Sequence, residues 1–214
     1  NFEKDLQANG LSQAQTKMKL TRANAEHSQA TSFGVNKGVT ILGDSVALRS
    51  KDQIESKIDN VYMDAVVSRN LSTINDLLKN YADSNALAKD VVIAGGVNEI
   101  DDYKGVINKM IKNLPKGHHI IFVTPYNGSK SGSEAASLVQ LRKYELEMAK
   151  KYDFVTVADW YQVAKDNISI WNGTDGVHFG SDSDSINRGA KLYTNTIKEA
   201  IAQADKSPVK GGKK

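Results

Sequence analysis

Five short runs of aliphatic and β-branched residues, Val39–Leu42, Val61–Val66, Asp90–Ala94, His119–Val123 and Phe154–Ala158, alternate with longer stretches of helical spacing. No other feature of the chain narrows its fold as much. Strands that read as near-continuous Val/Ile runs are covered on both faces, and parallel neighbours need a crossover of a dozen or more residues, usually a helix. The intervening stretches, roughly 46–58, 71–81, 101–113, 133–152 and 185–203, are long enough to supply it. In 133–152, Leu138, Leu141, Met148 and Tyr152 fall on one helical face while Glu134, Arg142, Glu145 and Lys151 fall elsewhere. The pattern predicts a doubly wound α/β domain, a flavodoxin-like three-layer sandwich around a parallel sheet of about five strands. In such sheets ligands bind beyond the carboxyl ends of the strands.

With 40% apolar and 25% charged residues, the 214-residue chain can fill one hydrophobic core. It has no cysteine, which excludes disulfides, thiol nucleophiles and cysteine-based zinc sites. The longest charge-free apolar run, Val91 to Val97, has the length of a buried strand and falls far short of the roughly 20 residues of a membrane helix. The chain starts at Asn1 without a leader pattern and reads as a piece of a longer protein, with any anchor out of view. Residues 1–37 carry 5 basic and 3 acidic side chains and residues 204–214 carry 4 and 1, leaving 19 basic against 21 acidic in 38–203. The net charge of +3 therefore resides in the ends, and the mildly acidic body argues against a nucleic-acid partner. Residues 1–37, with Leu6, Leu11, Ala14 and Met18 at loose helical spacing, read as a polar linker or a marginal helix. Residues 204–214, with Lys206, Lys210, Lys213 and Lys214 around Pro208 and Gly211-Gly212, read as a solvated, disordered basic tail.

Four segments stand after predicted strands or just before the last predicted helix: Gly43-Asp44-Ser45, Ser68-Arg69-Asn70, Gly96-Val97-Asn98-Glu99 and Asp175-Gly176-Val177-His178. A serine hydroxyl becomes a competent nucleophile when an imidazole takes its proton, and the imidazole works best when a carboxylate fixes its tautomer. Ser45, His178 and Asp175 supply those three groups. The oxyanion that forms needs donors placed in advance, and the backbone N–H groups of Ser45 and Ser68 and the side-chain amide of Asn98 are available. Singly, each has a plainer reading: Ser45 or Asn98 as a helix cap, Asp175 and His178 as an ordinary turn. Their joint order favours catalysis.

Gly43-Asp44-Ser45, Gly96-Val97-Asn98-Glu99 and Asp175-Gly176-Val177-His178 resemble the first, third and fifth blocks of the SGNH (GDSL-type) hydrolase superfamily, over residues 38–203. More narrowly, Val39–Leu48, His118–Tyr126, Ala158–Ala164 and Gly173–Gly180 resemble the extracytoplasmic domain family of Gram-positive peptidoglycan O-acetyltransferase A. The resemblance implies a catalytic domain over 38–203. Its serine would carry an acetyl group to the 6-hydroxyl of N-acetylmuramic acid in a peptidoglycan glycan strand. It also implies an extracytoplasmic setting, with acetyl groups delivered by a membrane acyltransferase region absent from this chain. Two departures stand out: Ser68 replaces the glycine usual in the second block, and Glu99 replaces the aspartate usual after the asparagine. A carbohydrate or lipid acetyl esterase of the same fold, and a non-catalytic wall-binding module, are the rival readings. Tyr126 and Trp171 are candidate glycan contacts. No cofactor or metal is expected, His118 and His119 are taken as strand-entry residues, and a monomer is expected.

Overall fold

The computed structural model describes residues 29–98 and 101–213. Five parallel strands form its centre: β1 (Val39–Gly43), β2 (Val61–Ala65), β3 (Asp90–Ala94), β4 (His119–Val123) and β5 (Val155–Ala158), in the order β2-β1-β3-β4-β5. All five residues of β1, β3 and β4 are buried, which is why their sequences are mostly apolar without alternation, with Thr40, Asp90 and His119 the polar exceptions, whereas the edge strand β2 leaves Tyr62 exposed. Successive residues still go to opposite faces. Ile41, Val92, Ile121 and Val123 enter one core, and Leu42, Val91, Ile93, Ile120 and Phe122 enter the other.

The second core is covered by α3 (Leu71–Asp83), α4 (Tyr103–Asn113) and α5 (Gly132–Lys151). The first is covered by α1 (Ser45–Arg49), α2 (Lys51–Lys57), α6 (Trp160–Asp166) and α7 (Ser183–Ala204). This is the expected three-layer sandwich. The chain leaves β1 toward one edge and returns past it to β3, so the crevice between the carboxyl ends of β1 and β3 is the topological switch point. No helix among the described residues is long and apolar enough to cross a membrane.

The expected helix over 46–58 is two helices, broken at fully buried Ser50, whose N–H reaches back to the Ala47 carbonyl. Helix α6 and the 3₁₀ turn Ile168–Ile170 were not foreseen, because seven and three residues are too few to establish a period.

Glu145 also departs from expectation. It lies on the buried face of α5 with Leu141 and Met148 and is wholly inaccessible. Neither carboxyl oxygen has a hydrogen-bond partner among the described residues. Burial, and then the nearby Asp159 charge, hold its pKa well above the usual value of 4.5, so the side chain is kept as the neutral acid. A folded-state pKa raised this way favours folding below about pH 4.5 and loses that contribution progressively as pH rises. Glu145→Met is expected to stabilise the fold by about 1–3 kcal/mol at neutral pH, with the gain shrinking toward pH 4. Thermal melts of both proteins across that range measure it; a destabilised variant at pH 7 would mean the carboxyl is satisfied in solution.

The basic tail is corrected for residues 204–213. Val209 is buried with Ala30 and Val35, and backbone bonds join Lys210 to Gly117 and His118. The Lys210 ammonium donates to the carbonyls of Ile111, Lys112 and Leu114, which are the acceptors left over where α4 ends. Counting lysines predicted solvation, but one of them caps a helix. At the same end of the sheet, His119 faces Asp90 Oδ1 at 2.7 Å and the Ser207 carbonyl at 2.8 Å, and Lys89 Nζ lies 3.0 Å from Asp205. Asp90, His119 and Asp205 are close enough to hold an ion. However, both His119 ring nitrogens already face acceptors and Lys89 supplies the positive charge. Of the expected polar linker, residues 29–37 pack here, with the Lys89 N–H donating to the Asn36 carbonyl, while Leu6, Leu11, Ala14 and Met18 lie outside the described residues.

Candidate active site

At the carboxyl end of β1 the chain turns directly into α1. Asp44 has an extended backbone and accepts the Val46 N–H at 3.0 Å, so it is Asp44, not Ser45, that caps the helix. The Ser45 hydroxyl is thereby spared for another partner. Its Oγ lies 2.7 Å from Nε2 of His178, 133 residues away in sequence. On the other side of the ring, Nδ1 lies 2.7 Å from Asp175 Oδ2. The second oxygen of Asp175 accepts the backbone N–H groups of Val177 and His178 at 2.9 and 2.8 Å. Turn and dyad, alternatives in the sequence, are one structure. With a proton on Nδ1 donated to the carboxylate, Nε2 presents its lone pair to the serine hydroxyl.

The electrostatics suit this tautomer. Burial opposes ionisation of Asp175, but the bonds from the His178 ring and the two N–H groups outweigh it and hold the pKa at about 2. Asp44 goes the other way: burial raises it to about 6 against the opposing pull of the Val46 and Ala47 N–H groups and of His178.

Ser68 follows β2 with φ of 63°, in the left-handed region that favours glycine. The position where the resemblance expects a glycine therefore has a backbone that suits one, although the residue is serine. Asn98 follows β3, and its Nδ2 donates one N–H to the Arg69 carbonyl at 2.9 Å. An amide has a second N–H, and fixing the first orients the second. Asn98 does not cap α4; Asp102 does, accepting from Gly105 N. Arg69 escaped sequence reading. Its Nη1 donates to Asp64 Oδ1 and the Asp64 carbonyl, both at 2.9 Å, and Tyr81 donates its hydroxyl to Asp64 Oδ2 at 2.7 Å. Burial disfavours ionised Asp64, but the Tyr81 and Arg69 bonds more than offset this and lower its pKa. No periodicity marks an arginine that ties a loop to a strand, so no local signal could have found it.

Tyr126 and Trp171 pack against each other with ring centroids 5.0 Å apart, and Tyr161 extends the cluster at 5.7 Å from Tyr126. The Gly128 N–H donates to the Gly176 carbonyl, which brings the loop after Tyr126 against the Asp175–His178 turn. Gly176 is required there: its φ is +80°, and a Cβ would stand 2.7 Å from Ser129 N. A cavity of about 420 Å³ opens beside Asn98, lined by Asp101, Tyr103, Asn127, Lys130 and Leu138 among others. Glu99 lies outside the described residues.

No family model matches the chain. Among solved structures, the C-terminal catalytic domain of Streptococcus pneumoniae peptidoglycan O-acetyltransferase A (OatA), carrying a methylsulfonyl adduct, is 44% identical with a TM-score of 0.80, covering 82% of this chain and 98% of that domain. The chain belongs to the OatA catalytic-domain family. It is an enzyme of the GDSL hydrolase fold. A lipolytic G-D-S-L protein of Veillonella parvula has the same fold at 16% identity and a TM-score of 0.61, over 76% of this chain and 97% of that one. The Bacillus subtilis protein YrhL, provisionally named a peptidoglycan O-acetyltransferase, is 27% identical over 165 residues, which are 77% of this chain. The chain spans only 24% of that relative's length, so this family member corresponds to one part of a longer protein there.

Proposed function

We propose that the domain transfers acetyl groups through an acetyl-serine intermediate to a sugar hydroxyl of peptidoglycan, the 6-hydroxyl of N-acetylmuramic acid. The observation that carries this reading is the unbroken line Asp175–His178–Ser45, with both links at 2.7 Å, at the switch point of the sheet. Nε2 of His178 takes the Ser45 proton as Oγ attacks the acetyl carbonyl. The tetrahedral oxyanion is met by the N–H groups of Ser45 and Ser68 and by the Asn98 amide. His178 then returns the proton to the donor's leaving group, leaving acetyl-Ser45. An acceptor hydroxyl gives its proton to Nε2, attacks the ester, and releases Ser45 as the proton is handed back. The acceptor strand lies over the Tyr126–Trp171 pair and the cavity beside Asn98. In the complete protein, a membrane acyltransferase region brings the acetyl groups to the extracytoplasmic face of a Gram-positive cell.

Hydrolysis uses the same residues with water in place of the sugar, and the name of the 44% identical relative favours transfer. Incubating the domain with an activated acetyl ester and defined muramic-acid oligomers separates the two. Acetylated sugar is the expected product; free acetate alone, unchanged by added oligomer, would make this an esterase.

Asn98→Ala is expected to lower kcat by about 10²–10³, roughly 2.7–4 kcal/mol, with little change in KM, because its donor acts on the oxyanion and not on the ground state. Steady-state kinetics on the acetyl ester measure it, and a loss within twofold would remove Asn98 from the oxyanion site.

A further inference from the structure

We propose that Arg49 is a positioning residue that holds His178 in place while Ser45 carries the acetyl group. The proposal rests on the reading of Ser45 as the nucleophile. Arg49 lies four residues beyond Ser45 in α1, a spacing that puts both side chains on one face of the helix. From there its Nε donates to the Phe179 carbonyl at 2.6 Å and its Nη2 to the Gly180 carbonyl at 2.7 Å. These are the two carbonyls that follow His178 in the chain. The planar fork of a guanidinium fits a pair of neighbouring acceptors in a way that an ammonium does not.

The same short segment is held from beneath. Phe179 is wholly buried, with its ring 5.9 Å from Trp160 and 6.5 Å from Tyr193, and the Arg49 guanidinium carbon sits 5.7 Å from the ring centroid. Gly180, at φ +82°, turns the chain so closely onto α7 that a Cβ would lie 2.3 Å from Ile186 N. The nucleophile helix and the base loop therefore meet at two places: Ser45 Oγ with His178 Nε2, and Arg49 with residues 179 and 180.

Only one of these contacts survives the reaction. Once Ser45 is acetylated its Oγ has no proton, so the hydrogen bond that aligned the imidazole in the free enzyme is gone. His178 must then present Nε2 to the acceptor hydroxyl within about 2.6–3.2 Å. Asp175 cannot set that distance, because it sits on the same turn as His178 and moves with it. Arg49 is anchored on the serine's own helix and is indifferent to the state of Ser45. Its removal should therefore weigh more heavily on deacylation than on acylation.

The test compares the wild-type domain with Arg49→Ala and Arg49→Lys on a chromogenic acetyl ester, following the pre-steady-state burst, steady-state turnover and the acetyl-enzyme by intact mass. For Arg49→Ala the expected result is a fall in kcat of about 10- to 100-fold, KM falling with it so that kcat/KM changes far less, and acetyl-Ser45 accumulating to most of the protein at steady state. Millimolar guanidinium should restore part of the turnover. Arg49→Lys should fall between, since one ammonium can replace only part of the fork. If the alanine variant does not fold, the lysine variant carries the comparison. Turnover and adduct level equal to wild type would overturn the proposal. So would a loss that tracks the folded fraction in a thermal melt and does not respond to guanidinium. Absence of any acetyl adduct on Ser45 in the wild-type domain and in Arg49→Ala alike would instead overturn the nucleophile assignment, and this inference with it.

Discussion

Ser45→Ala is expected to abolish the acetyl adduct and to lower turnover of an acetyl ester by roughly 10⁴–10⁶, the scale of loss when the nucleophile of a serine triad is removed. The residual rate belongs to the oxyanion donors and to substrate binding, which the substitution leaves in place. The fold should be unaffected. The α1 cap is the Asp44 carboxylate and not the serine, and the Ser45 side chain is spent on His178 rather than on backbone. Intact mass after incubation with the ester, a melting curve, and reactivity toward a sulfonyl fluoride together make the measurement. The pneumococcal relative carries a methylsulfonyl adduct, so this probe has a precedent within the family. Undiminished turnover in a folded Ser45→Ala protein would mean that acetyl passes directly to the acceptor, and the two-step mechanism would fall.

The strands were legible because their interior position removes any choice. A segment buried on both faces is mostly apolar, and the run of residues 120–123 marked β4, whose one polar residue, His119, is paired with Asp90. The edge strand β2 was legible too, although it is partly exposed, because Val61 and Met63 on one side still pack against the core. The meeting of Ser45, Asp175 and His178 was legible from order: three residue types that need one another stood at a strand end or just before the last helix, and a parallel sheet collects those positions at one rim.

What escaped was decided by contacts with no sequence period. The charge pattern along 133–152 put Glu145 on the wet side, since an acid is ordinarily exposed, yet the helix turns that face into the core beside Leu141 and Met148. Lys210 was read as one of several tail lysines, and only the carbonyls at the end of α4 distinguish it. Arg49 and Arg69 each bond to main-chain carbonyls of another segment, contacts that leave no mark on the composition of either segment. Ser68 is an intermediate case. It stands where the resemblance expects a glycine, and its positive φ is a conformation that favours glycine, with a strain the surrounding loop must hold.

The detailed wiring of Asp175 supports a sharper expectation than its mere presence. Asp175→Asn should lower kcat by about 10⁴, and by more than Asp175→Ala does. Both backbone N–H groups of the turn, from Val177 and His178, donate to Oδ1, so an asparagine in this position must keep its carbonyl oxygen there. Its NH₂ is then forced against His178 Nδ1, where the carboxylate now accepts. A donor at that place stabilises the ring tautomer with the proton on Nε2. That proton points at Ser45 Oγ, and the base has nothing left with which to take the serine's own. Alanine loses the turn bonds and the carboxylate but imposes no tautomer, so a fraction of the imidazole remains competent. Steady-state kinetics of the two variants across pH 6–9, with ¹⁵N chemical shifts of the His178 ring, test the argument. If the asparagine variant is the more active, or if its ring nitrogens keep the wild-type pattern, the orientation of the Asp175 carboxylate is not what sets the proton.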